Sequence, residues 1–177
     1  MSALQSLNIL LVDDNQHMRA ITSAILQSAG IRNIREVSDG AMALEALRDY
    51  PVDLAIVDFN MFPLDGVEFT RLVRNSPDSA NPYLPIIMMT GHSEKHRVYE
   101  ARDAGVTEFV VKPITAKAVF DRIQAVIMRP RPYVKTDDYF GPDRRRTSSV
   151  ASYKGPRRRS TDVADDASTN SDGSGKA

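Results

Sequence analysis

The chain has 177 residues, enough for one domain of ordinary size and a tail, and its lack of cysteine excludes disulfides and thiolate metal sites. Lys plus Arg and Asp plus Glu both total 23, but residues 1–128 hold 12 basic and 16 acidic residues while residues 129–177 hold 11 and 7, so a neutral sum conceals an acidic body and a basic tail. The amino terminus MSALQSLN lacks the basic start of a secretory signal, and no apolar run approaches membrane-spanning length, which leads us to expect a soluble cytoplasmic protein with no membrane partner.

Leu7 to Val12 reads as a first buried strand that ends in Asp13-Asp14. Asn15 is placed to cap a helix running to about Ala29, with Met18, Ile21, Ala24 and Ile25 as its inward face and Gly30 as its end. Ile34 to Val37 is a second, shorter strand, followed by a helix that Ser38 or Asp39 caps, which carries Leu44 and Leu47 and closes before Pro51. Leu54 to Val57 is a continuous apolar run stopping at Asp58, the pattern of a central strand buried on both faces. Pro63 and Asp65-Gly66 force a turn into a helix with Val67, Phe69, Leu72 and Val73 inward. Ile86 to Met89 is a fourth strand ending at Thr90, and a polar helix from about Glu94 to Ala104 stops at Gly105. Phe109, Val110 and Val111 form a fifth strand before Lys112-Pro113, and Thr115 caps a last helix with Val119, Ile123, Val126 and Ile127 on one face.

Strict alternation of strand and helix predicts an α/β fold, a doubly wound parallel sheet covered on both faces, with strand order 2-1-3-4-5. That order brings the carboxyl ends of strands one and three together and gathers Asp13, Asp14, Asp58, Thr90 and Lys112 on one edge of the sheet. Alone, Asp58 reads as a turn or helix-capping aspartate; five functional groups at strand ends on one edge are more than capping requires. Three carboxylates about 5 Å apart repel by roughly 3 kcal/mol per pair at an effective dielectric near 20, so the site favours a divalent cation or raised carboxyl pKa values. Oxygen-only ligands select a hard ion, Mg²⁺ or Mn²⁺, and such ions keep open positions for phosphate oxygens. Lys112 and Thr90 supply a cation and a hydroxyl for a transferring phosphoryl group, and Asp58, central in the sheet, is the best candidate for a carboxylate nucleophile.

These residues resemble the receiver (response regulatory) domain of bacterial two-component response regulators, of the stand-alone type, over about residues 6–128. The Asp13-Asp14 pair, the central Asp58, Thr90 and Lys112-Pro113 carry the likeness, since they occur in order at successive strand ends. The resemblance implies a (βα)5 flavodoxin-like three-layer sandwich and a phosphoprotein whose Asp58 accepts the phosphoryl group from a sensor histidine kinase. It further implies that Asp14 binds Mg²⁺ directly, Asp13 through water, with Asp58 and the main-chain carbonyl of Asn60 as further ligands. Thr90 and Lys112 would contact the phosphoryl oxygens, Thr90 and Phe109 would form the switch, and the Lys112-Pro113 bond would be cis. Phe109 has an equal claim to be core. His92 reads as a loop residue flanking the phosphoryl pocket, and the Glu94–Ala104 helix, with strand five and the last helix, as a partner surface. One departure is that proline stands at Pro63 where the family places it one position earlier, at Phe62.

From residue 129 the chain is short of apolar residues, and residues 129–177 are expected to form a disordered basic and polar tail. Tyr139-Phe140-Gly141-Pro142-Asp143-Arg144-Arg145-Arg146 recurs as Tyr153-Lys154-Gly155-Pro156-Arg157-Arg158-Arg159. The leading functional reading is a signalling switch in two-component signal transduction that alters affinity for a downstream protein and catalyses only its own phosphorylation and dephosphorylation. Alternatives are a phosphorelay shuttle or phosphate sink working with a histidine phosphotransfer protein, and nucleic-acid binding through the Arg-rich tail, the less favoured partner class. An aspartate-nucleophile phosphatase shares the chemistry, but Asn60 stands where such enzymes carry a second acid two residues after the nucleophile.

Overall fold

A computed structural model describes residues 4–91 and 96–145. The elements follow in the order β1 (Asn8–Val12), α1 (Gln16–Ser28), β2 (Asn33–Val37), α2 (Gly40–Asp49), β3 (Leu54–Asp58), α3 (Gly66–Asn75), β4 (Ile86–Thr90), α4 (Val98–Ala104), β5 (Glu108–Val111) and α5 (Ala116–Met128), then β6 (Tyr133–Lys135) and β7 (Phe140–Pro142). The first five strands form one parallel sheet ordered β2-β1-β3-β4-β5, the predicted flavodoxin-like order. Every residue of β3 and β4 is buried, because helices cover both faces of these central strands. Side chains alternate across the sheet: Ile9, Leu11, Ile56, Ile87 and Met89 face a core shared with α1 and α5, while Leu10, Val12, Ala55, Val57 and Ile86 face one shared with α2 and α3. Among the described residues no helix is long and apolar enough to cross a membrane.

The caps follow the sequence. Asn15 accepts from the His17 and Met18 amides, Asp39 rather than Ser38 from Met42, Thr115 from Ala118, and Asp65 forms a reciprocal capping box with Glu68. Two helix faces differ from the expected register. In α1 the buried residues are Thr22, Ser23 and Leu26 while Ile21 is exposed, and Thr22 is accommodated because its hydroxyl donates to the Met18 carbonyl at 2.9 Å. In α3, Leu72 is exposed and Arg74 is buried in its stead.

The expectation of a structureless tail from residue 129 does not hold for its first sixteen residues, since the first compact unit of the chain runs on to Arg144. Strands β6 and β7 pair antiparallel, Tyr133 opposite Pro142 and Lys135 opposite Phe140. Tyr133 and Phe140 close an aromatic cluster with Tyr83, the three ring centroids lying 5.2–5.8 Å apart. Beneath it the Arg74 guanidinium donates to the Gly105 carbonyl at 3.0 and 3.1 Å and to that of Pro82 at 2.8 Å, with the Tyr133 ring stacked on it at 5.2 Å. Arg131 pairs with Glu108, and Arg144 pairs with Asp103 at 2.9 Å. A segment poor in aliphatic residues is thus held by three aromatics and by partners far away in sequence. The second copy of the tail repeat, Tyr153 to Arg159, lies outside the described residues.

Candidate functional site

Parallel register sets the site. Val12 of β1 pairs with Val57 of β3, so Asp13 and Asp58 leave neighbouring strands at the same level. Carboxylate oxygens of Asp13, Asp14 and Asp58 lie within 4.8 Å of one another. Thr90 follows Met89, the register partner of Asp58, and is buried at the end of β4; the Lys112 amide donates to its carbonyl at 2.7 Å. Lys112 then reaches across, its Nζ standing 2.5 Å from Asp58 Oδ1. All five groups that the sequence places on this edge therefore meet there.

Each member is held differently. Asp13 is fully buried; its amide donates to the Val37 carbonyl at 3.2 Å, and its Oδ1 accepts from the Asn15 amide at 2.8 Å. Its Oδ2 is buried with no hydrogen-bond partner among the described residues. Asp14 is exposed and completes the group. Burial pushes the Asp58 carboxyl up to about 6, against the opposing pull of the Lys112 ammonium, and the charges of Asp13 and Asp14 add to the rise. Asp13 is also raised, chiefly by burial, with the Asn15 amide and Lys112 opposing. A glycine is needed at the start of α3, because a Cβ on Gly66 would stand 2.5 Å from the Asp58 carbonyl oxygen.

The remaining expected residues fall less uniformly. Asn60 is exposed two residues past Asp58. Phe109 is half-buried on β5, the sheet edge that the predicted strand order implies and on which only Val110 is buried; its ring packs against the cluster of Phe59, Val67 and Met88. His92 lies outside the described residues. The Lys112-Pro113 bond is cis as expected, and so is Phe62-Pro63; Phe62 is 85% exposed. Sequence reasoning gave two arginines no role at this edge, reading Arg97 only as part of the exposed face of the Glu94–Ala104 helix. Arg97 stacks on the Phe59 ring at 4.8 Å and pairs with Asp65 and Glu100, each at 3.2 Å, linking the start of α4 to the loop after Asp58. Arg19 donates to the Asp13 carbonyl. Both look like solvated helix charges in the sequence; Arg19, four residues after a capping asparagine, carried the only hint.

Among the described residues the donor set fits a hard divalent cation: three carboxylates, no nitrogen or sulfur ligand in the group, and a buried carboxylate oxygen left without a partner. Residues 9–124 match the model of the response regulator receiver domain family. The chain is 35% identical over 123 residues to the chemotaxis protein CheY of Pseudomonas aeruginosa, covering 70% of this chain and 98% of that protein. It is 31% identical over 125 residues to CheY-3 of Vibrio cholerae, covering 71% and 95%. The solved structure of V. cholerae CheY4 aligns with a TM-score of 0.62 at 31% identity over 68% of this chain and 98% of that one. The receiver domain of the P. aeruginosa sensor histidine kinase PA1611, which has a magnesium ion coordinated in its active site cleft, aligns with a TM-score of 0.61 at 28% identity, over 68% and 96%.

Proposed function

Because the chain belongs to the response regulator receiver domain family, we propose that it is a magnesium-dependent phosphoryl acceptor in a cytoplasmic phosphorelay, with Asp58 as the residue modified. The observation that supports this most is the Asp13, Asp14 and Asp58 cluster with Lys112 hydrogen-bonded to the Asp58 carboxylate. A Mg²⁺ ion would be held by Asp13, Asp14, Asp58 and the Asn60 carbonyl, and would supply charge to offset the carboxylates and the incoming phosphoryl oxygens. In our reading an Asp58 oxygen attacks phosphorus, the P–N bond to a phosphohistidine of the kinase breaks, and the imidazole leaves with its electron pair. Asp58 must be ionised to attack, and its Lys112 hydrogen bond favours the ionised form against burial. Lys112 and Thr90 then hold the phosphoryl oxygens, and the altered contacts bias the surface of α4, β5 and α5 towards a downstream protein.

On this reading the chain turns over no separate substrate. Nucleic-acid binding through the tail is weakened by the ordered segment, where Arg131 and Arg144 are each paired with a carboxylate of the domain. The test is labelling with acetyl phosphate and Mg²⁺. Wild type should gain one acid-labile phosphoryl group that chelator prevents, and Asp58→Asn should gain none. Full labelling of that variant would reject the assignment.

A further inference from the structure

We infer that Arg19 is a positioning residue for the divalent metal, acting through the main-chain carbonyl of Asp13. Arg19 lies in the first turn of α1, where its Nη1 donates to the Asp13 carbonyl oxygen at 2.6 Å. Its Nε faces Glu36 Oε2 of β2 at 3.5 Å, so the guanidinium is itself aimed by the neighbouring strand. With that bond, three of the four polar atoms of Asp13 are fixed: the amide by Val37, the carbonyl by Arg19 and Oδ1 by Asn15. Only Oδ2, buried and unpartnered, remains for the acidic cluster. The Asp13 carbonyl belongs to the peptide that leads into Asp14, so the same hydrogen bond sets the direction in which both acidic residues leave β1. The other two restraints on Asp13 come from backbone amide hydrogens, which no side-chain substitution removes. Arg19 is therefore the adjustable part of the turn. A planar donor fork held from two sides fixes a carbonyl more tightly than a single ammonium, and partners one step behind the ligands of a metal typically carry about ten- to a hundredfold of its affinity.

The inference rests on the metal site of the proposed function, and the experiment separates the two. Mn²⁺ is titrated into the full-length chain at fixed pH and the free ion read by electron paramagnetic resonance, with the melting temperature in chelator measured alongside. Arg19→Met keeps the apolar stem but removes the donors, and should weaken Mn²⁺ binding by about tenfold; Arg19→Lys should recover part of that loss. Wild-type Mn²⁺ affinity in a folded Arg19→Met protein overturns the inference even if its melting temperature falls, since that outcome marks a purely structural arginine. Should Arg19→Met fail to fold, Glu36→Gln carries the test: it leaves Arg19 unaimed from β2 and should weaken binding by a few-fold, while unchanged affinity again overturns the inference. If the wild-type chain itself binds no Mn²⁺, the metal reading fails and the inference falls with it.

Discussion

Asp58→Asn should make the metal-free protein more stable, and the gain should depend on pH in a defined way. The Asp58 carboxyl ordinarily titrates near 3.8 and is pushed to about 6 by burial, even with Lys112 beside it. A pKa raised by folding means that the native state prefers the protonated form. The stability this lends is fully present below the unfolded pKa and is lost as pH rises through the folded one. The rise of roughly two units corresponds to about 3 kcal/mol lost by wild type above about pH 7. Asparagine has nearly the shape of the protonated acid, carries no charge and still offers Oδ1 to Lys112. The variant should thus match wild type near pH 4 and exceed it by about 2–3 kcal/mol near pH 8, or roughly 6–9 °C in melting temperature for a domain of this size. The assay is urea unfolding followed by circular dichroism in chelator across that range. Added Mg²⁺ should close the gap from the wild-type side, because only the intact acidic cluster gains binding energy on folding. A gap of equal size at both ends of the range, or none near pH 8, would refute the claim that a buried, repelled carboxylate sets the energetics of this edge.

Lys112→Ala should leave metal binding in place while moving the Asp58 titration, followed by carboxyl carbon NMR, to higher pH, since Lys112 is the chief group holding that carboxyl down; an unmoved or lower titration would show that the 2.5 Å pair is not formed in solution. Gly66→Ala should cost about 2–3 kcal/mol or more and slow labelling of Asp58, because the new methyl must push the Asp58 carbonyl from its position at 2.5 Å; a variant that matches wild type in both respects would show that the loop yields freely. A chain ending at Met128 should still fold around the five-stranded sheet and label on Asp58, but lose about 2–3 kcal/mol in urea unfolding through exposure of Arg74 and Tyr83 and loss of the Tyr133 and Phe140 contacts. Unchanged stability would mean that the β6–β7 pair is not docked in solution.

The sheet and its functional edge were legible because their signals are local. An apolar run ending in a carboxylate announces both a central strand and the group at its mouth, and Asn15, Asp65 and Thr115 mark their own helix starts. What was misread depends on partners distant in sequence. Ile21 and Leu72 satisfy a helical period yet face solvent, because Thr22 can satisfy its hydroxyl within α1 and because Arg74 finds carbonyls 8 and 31 residues away. Phe109 sits in an apolar triplet, but β5 is the sheet edge that the order 2-1-3-4-5 implies, so only Val110 of the triplet is buried and Phe109 is covered in part. Arg19 and Arg97 resemble ordinary helix charges until the chain closes and sets one against the Asp13 carbonyl and the other over Phe59.

The ordered start of the tail shows why composition misled there, and it also accounts for the spacing within the repeat. Few aliphatic residues normally mean too little burial to offset chain entropy. Here the burial comes from three rings and from residues of the domain already present as a platform. Within the turn, the Tyr139 hydroxyl donates to the Pro142 carbonyl at 2.8 Å, and the Arg144 guanidinium lies 3.9 Å over the Tyr139 ring. At Gly141 a Cβ would stand 2.6 Å from the Tyr139 hydroxyl and 2.9 Å from the Gly105 Cα, so the close approach needs glycine. Tyr, Gly, Pro and Arg at these intervals are therefore a set of mutual contacts within one short segment. The same four residue types recur at the same spacing at Tyr153, Gly155, Pro156 and Arg158, residues outside those described, whereas the position of Phe140 is taken by Lys154. The repeated residues hold the turn to itself, and of them Arg144 also pairs with Asp103 and Gly141 lies close to Gly105; the residue that anchors the turn in the Tyr83 and Tyr133 cluster belongs to the first copy alone. Sequence recurrence thus reported the contacts within the turn, and the aromatic part of its docking, in which Phe140 meets Tyr83, lay beyond it.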